Sequence, residues 1–183
     1  MPNFYVPERN AFAQSDYHDQ QGSALAGALA YASDLNLVDS FVTGPVGENG
    51  LEAGLAVVAK ANASALRPGI NELAAVLPGE SDSAADIAGV SVRAQQMPSN
   101  SAGRACYFQG DLCSVARTGR SGARIFVRLV NGAQPAVNAP AFVILGGDNA
   151  GRFDSAEGQG RVLVPAMVFK SAAEDGIALV ELL

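Results

Sequence analysis

The chain has 183 residues and a mass of 18.7 kDa, enough for one domain that buries roughly 70% of the surface its unfolded form exposes. Only 16% of residues are charged, against about 25% in ordinary soluble proteins, and 33 Ala and 20 Gly supply much of the 49% apolar fraction, so part of a charge-poor surface is expected to lie beneath partner subunits. A net charge of −6 argues against a dedicated nucleic-acid binder, and no apolar run reaches the ~18–20 residues of a membrane span. Two cysteines make no disulfide framework, and with the single His18 they are too few for an ordinary zinc site.

Met1-Pro2-Asn3-Phe4-Tyr5 lacks a basic n-region and an apolar h-region, so no secretory signal is expected. Residues 1–22 are polar and carry Phe4, Tyr5, Phe12 and Tyr17 at neither helical nor strand spacing. Two readings stand side by side: an arm that anchors in pockets on another molecule, or a tail that packs on its own domain. Residues 23–33 form the one plausible helix, with Ser23 as a cap, or else an irregular segment, because Gly27 costs roughly 1 kcal/mol relative to Ala. These residues make an N-terminal arm, 1–34, ahead of a β-rich domain, 35–183.

Beyond that point short apolar stretches alternate with Gly, Pro, Asn and Asp. Candidate strands are 35–43, 55–61, 72–77, 87–95, 104–108, 112–117, 124–130, 141–145, 162–170 and 177–182. Ile125, Val127 and Leu129 share one strand face, with Phe126 and Arg128 on the other. Val90 and Val92 are expected to face inward, and Ser91 and Arg93 outward. Residues 77–86 read as an exposed loop. The pattern predicts an all-β fold, a jelly-roll-like sandwich or small β-barrel with an extended N-terminal arm.

Catalytic constellations are missing. The chain has no Gly-x-Ser-x-Gly elbow and no Ser-x-x-Lys, and any Ser-His-Asp triad would need His18, in a stretch with no scaffold to hold it. Gly146-Gly147-Asp148-Asn149-Ala150-Gly151 superficially suggests a phosphate loop, but no helix follows to supply N–H groups and dipole. Asp148, Asp154 and Glu157 do not match a calcium loop, and a hairpin tip is the favoured reading. No enzyme activity, cofactor or metal is expected. If Gln109-Gly110 is a two-residue hairpin loop, Cys106 falls opposite Cys113, which would allow a cross-strand disulfide, but the simpler reading is that both are small buried hydrophobes.

Charge is segregated along the chain. Residues 1–86 hold 3 basic and 11 acidic side chains, and residues 87–183 hold 9 basic and 7 acidic. Ten of the twelve basic residues are Arg, the cation enriched in interfaces. Arg117, Arg120, Arg124 and Arg128 fall within twelve residues with no acid between them. Such neighbours repel unless carboxylates answer them, from the acidic first half of this chain, from a symmetry mate or from another partner.

Gly89-Val-Ser-Val-Arg93, then Ser114-Val-Ala-Arg-Thr-Gly-Arg120 leading into Ile125-Phe-Val-Arg128, resembles the capsid cement, or head decoration, proteins of tailed bacteriophages. So do Pro140-Ala-Phe-Val-Ile144, Gly151-Arg-Phe-Asp154, Val164-Pro-Ala-Met-Val-Phe-Lys-Ser171 and the closing Gly176-Ile-Ala-Leu-Val-Glu-Leu182. The resemblance spans about residues 35–183 and rests on the co-linear order of these blocks. Ser121-Gly122-Ala123 lengthens the run before Ile125, and residues 1–34 match nothing firmly. The resemblance implies a non-enzymatic structural protein, made in the host cytoplasm and carried on the exterior of the virion capsid. It further implies the major capsid protein as partner and a symmetric homo-oligomer, a trimer before a dimer, with no nucleic-acid or membrane contact. The four N-terminal aromatics and the four clustered arginines are the candidate contact residues. The alternatives are another virion accessory protein or a β-sandwich module that binds a carbohydrate ligand, but for the latter Trp is absent and the β-region aromatics alternate into a core.

Overall fold

A computed structural model describes residues 25–30, 37–61, 73–94, 97–119 and 122–183. Twelve strands follow in chain order: β1 (Val38–Thr43), β2 (Leu51–Glu52), β3 (Ala56–Ala61), β4 (Leu73–Val76), β5 (Ile87–Ser91), β6 (Cys106–Tyr107), β7 (Leu112–Arg117), β8 (Arg124–Arg128), β9 (Pro140–Ile144), β10 (Phe153–Asp154), β11 (Arg161–Phe169) and β12 (Ile177–Leu182). A 3-10 turn, Ala84–Asp86, closes the exposed loop before β5. The fold is all-β.

Strands β1, β4, β3, β5 and β7 close into a barrel in that order. Closure depends on one parallel pair, Val42 beside Ala74, and on the antiparallel register of Phe41 with Cys113. The remaining long strands form a sheet in the order β10, β9, β11, β12, β8. That sheet curls until its edges meet: Leu129 bridges Phe153 in parallel, and the Val130 N–H donates to the Phe153 carbonyl at 2.8 Å. Of the two architectures the sequence suggested, the barrel is present.

The barrel is buried on two faces. Phe41, Val57, Ala75, Cys113 and Val115 gather in one core cluster with Leu51 and Tyr107. Ala56, Val58, Val90 and Ala116 belong to the other cluster, with Ile125, Val127, Phe153, Phe169 and Val180 of the curled sheet. In β3, Val57 thus points to the first cluster and its neighbours Ala56 and Val58 to the second, as alternation requires. A shift of register between Val57 and Val58 lets Ile87 and Val90, three apart on β5, join the same cluster. Gly89 lies at the tightest approach, where an added Cβ would overlap the Ala116 carbonyl oxygen. Small residues are what allow strands to be covered on both sides, which accounts for the Ala- and Gly-rich composition.

Of three local expectations, two are resolved between their alternatives and one, the outward Ser91, needs correction. Of the segment 23–33, residues 25–30 are described and take the irregular alternative: Gly27 has φ +79°, its N–H donates to the Phe126 carbonyl, and Leu29 bridges Ile125 along the outer edge of β8. The segment turns at Ala26-Gly27 and then pairs with β8 through Leu29, and a Cβ at Gly27 would lie 2.7 Å from Ala53 Cβ. Ser91 is buried, not outward. Its Oγ donates to the Glu52 carbonyl at 2.8 Å and accepts from the Leu55 N–H at 3.1 Å. The turn at Gln109-Gly110 forms, with the Asp111 N–H donating to Phe108, but the chain changes sheets there. Cys106 faces Glu52 of β2 and Cys113 faces Phe41 of β1, so the thiols do not pair.

Burial pushes the Cys113 thiol up to about 12 and raises that of Cys106 as well, with the Glu52 charge adding to the latter. A thiol held this far from its thiolate is a poor nucleophile. Native protein at pH 8 is therefore expected to leave both cysteines unmodified by a thiol reagent over minutes, whereas urea exposes two titratable thiols. Labelling of native Cys113 at the unfolded rate would contradict this core assignment.

Candidate interaction surface

The alternation expected in β8 is present: Ile125 and Val127 are buried, while Arg124, Phe126 and Arg128 turn to the other face. What the arginines meet there is mostly this same chain. Arg117 Nη1 lies 3.4 Å from Asp39 Oδ2 across the β1–β7 pair, and its guanidinium sits 5.5 Å from the centre of the Phe41 ring. Arg124 reaches Glu181 at 3.0 Å, directly opposite it on β12. Arg128 reaches Glu52 at 3.2 Å and donates through Nε to the Ala53 carbonyl at 3.0 Å. The acidic first half thus supplies two of these partners, Asp39 and Glu52. Phe4, Tyr5, Phe12, Tyr17, His18 and Arg120 lie outside the described residues.

Glu52 has no motif around it, and the sequence singled it out for nothing. It is buried, yet its Oε1 accepts from Arg104 at 3.2 Å and from Asn100 Nδ2 at 3.0 Å, while Oε2 faces Arg128. Asn100 also accepts the N–H groups of Ala102 and Arg104 on its Oδ1, which shapes the loop that delivers Arg104. Burial lowers the Arg128 pKa and Glu52 opposes that shift, while Arg104, Arg152 and Arg93 push the same way as burial. The guanidinium stays charged at any physiological pH.

A second carboxylate, Glu181, is shared by Lys170 at 2.9 Å and Arg124. Lys170 first, and then Arg124, hold it below the usual carboxylate range. Asp154 is likewise committed, to Arg161 at 3.0 Å and to the N–H of Ser155. The glycine-rich stretch is a turn: Ala150 N–H donates to Gly147 and Gly151 N–H to Ile144, joining β9 to β10.

Most described cations are therefore paired inside the molecule, and several large apolar side chains are left outside. Leu112, 70% exposed, and Leu73 flank an open groove on β1 with Phe41, Val42, Asp39 and Arg117. Val137, Leu163, Leu25 and Phe108 are also exposed. Among the described residues no group of three His, Cys, Asp or Glu is placed to hold a metal. No helix among them is long and apolar enough to cross a membrane.

Residues 12–183 match the family model described as structural cement protein (E217 gp24/Pam3 gp6). No curated protein matches the chain. Among solved structures, a chain from the capsid of Myoviridae phage XM1 is similar in fold, with a TM-score of 0.56 at 21% identity over 79% of this chain and 81% of that one.

Two outcomes test the ion pairs. Glu52→Ala is expected to cost about 3–5 kcal/mol, because it strands the Arg128 guanidinium at a buried position, whereas Asp39→Ala on the part-exposed pair is expected to cost about 0–1 kcal/mol. Urea melts of the two variants make the comparison. For Glu181, a folded pKa below the unfolded value of about 4.3 means stabilisation that is complete above that pH and fades as pH falls through the folded value. Glu181→Gln should therefore be less stable than wild type at pH 7, with the gap closing below about pH 4. A gap that stays constant with pH would show that the carboxylate charge contributes nothing.

Proposed function

Since the chain belongs to the structural cement protein family, we propose that it binds the outer surface of an assembled phage head and clamps neighbouring copies of the major capsid protein. In this reading it acts as a symmetric homo-oligomer, a trimer before a dimer, and performs no chemistry. The family match over residues 12–183 carries the reading. The geometry supports it in a specific way. A barrel packed against a curled sheet leaves Leu73, Leu112 and Leu163 exposed for contact with a partner surface.

The aromatics Phe4, Tyr5, Phe12 and Tyr17 serve in this reading as anchors on the shell or on a neighbouring copy. Arg117 and Arg124 each keep about a third of their side chain exposed beyond their internal pairs. With Arg120, and with Arg128 at a more buried position, they supply cations to acidic partners.

Sedimentation with purified empty heads that lack this protein tests the reading, with a glycan array as the opposing arm. The chain is expected to co-sediment with heads and to bind no glycan. Deletion of residues 1–20 should leave the melting temperature unchanged and weaken head binding by at least about tenfold, the loss of one good anchor. Glycan binding without head binding would replace this reading with the carbohydrate-module alternative.

A further inference from the structure

Where β8 leaves the sheet, a cleft of about 490 Å³ opens between Arg104, Arg128 and Arg152 on one side and the turn at Asn131, Gly132 and Gln134 on the other. Its charge is not balanced from within. Glu52 is the carboxylate beneath it and is already divided between Arg104 and Arg128. Arg152 donates to the Leu129 carbonyl at 3.2 Å, an uncharged partner, and exposed Arg93 lies within electrostatic reach of Arg128. Asp175 is the one acid on the wall. Three guanidiniums therefore converge on one solvent-open space, each a planar donor suited to a carboxylate.

We propose that this cleft receives a carboxylate side chain of the head shell, an Asp or Glu of the major capsid protein, and that this contact sets how each copy is oriented on the lattice. The proposal rests on the capsid-binding reading above. The occupant follows from charge complementarity with the partner that this reading names: guanidiniums line the cleft, and the shell is the surface the protein clamps. With Glu52 and Asp175 set against three guanidiniums, a carboxylate entering here neutralises the remaining positive charge. Bidentate pairing with Arg152 would also fix its direction, which apolar contacts at Leu112 or Leu163 do not.

The test uses the full chain and two probes, purified empty heads and a hexaglutamate peptide, each titrated at low and at physiological salt. Gln134→Glu adds a carboxylate at the exposed lip of the cleft without removing any internal bond, and Gln159→Glu makes the same charge change at another exposed position. Arg152→Gln removes a guanidinium that no carboxylate among the described residues holds. Gln134→Glu and Arg152→Gln are expected to weaken both probes by about tenfold or more, the scale of one charge-assisted pair, with Gln159→Glu near wild type. If Gln134→Glu binds both probes as wild type does, the cleft assignment is overturned. If hexaglutamate binding depends on the cleft but wild-type protein ignores heads, the capsid reading and the shell donor fall together while the carboxylate site stands. If Gln134→Glu keeps head binding and loses self-association by sedimentation equilibrium, the donor is a second copy and the shell donor is overturned.

Discussion

The arrangement depends on a buried carboxylate, Glu52, placed where barrel, loop and curled sheet come together. Its side chain holds Arg128 of β8 and Arg104 of the loop before β6, and its backbone carbonyl accepts the hydroxyl of Ser91 in β5. The next residues continue the join: the Ala53 carbonyl accepts from Arg128 Nε, and the Gly54 carbonyl accepts from the Arg128 N–H at 2.9 Å. Burying a charge is costly unless its geometry is filled, and here both carboxylate oxygens have cationic partners. The polar seam complements the apolar one on the far side of the same strands. It fixes which way the sheet meets the barrel, a choice that Val, Ile and Ala side chains alone leave loosely specified.

Small side chains make that meeting close. Where β3 and β5 are covered on both faces, Ala56, Ala88 and Gly89 let a second layer approach without forcing strands apart. Each such residue contributes little burial energy, and the stabilisation comes from a few large ones, Phe153, Phe169, Leu129 and Met167, that fill the space between layers. A body built this way gains stiffness from interlocking layers more than from any one deep core. That suits a part whose work is to resist being pulled out of shape.

Most of the long strands were readable from residue order. Alternation in 124–130 and the turn residues around 112–117 and 177–182 mark β8, β7 and β12, because a half-buried strand writes a period of two into its residues. The all-β class follows from the same signal. The short strands β2 and β10 were not readable: two residues carry no period, and Leu51-Glu52 and Phe153-Asp154 are strands only because distant partners pair with them. Pairings such as Phe41 with Cys113 cross some seventy positions, and nothing local specifies them. Ser91 broke the alternation because its hydroxyl found the Glu52 carbonyl. The candidate surface shows the same division. The arginine cluster is visible in the sequence, but Asp39, Glu52 and Glu181, which answer Arg117, Arg128 and Arg124, stand far from them in the chain and become neighbours through the fold.

The two outer margins of the curled sheet are both occupied: residues 27–30 lie along β8, and Leu129–Val130 lie along β10. A bare strand margin offers its N–H and C=O groups to any extended chain and is the usual starting point of aggregation. Molecules crowded side by side on a common surface meet at very high local concentration, where such a margin would let one sheet run on into the next. With the ladders already filled, neighbours are left to meet through side chains. Association of that kind stops at a set number of partners, whereas backbone pairing has no built-in end.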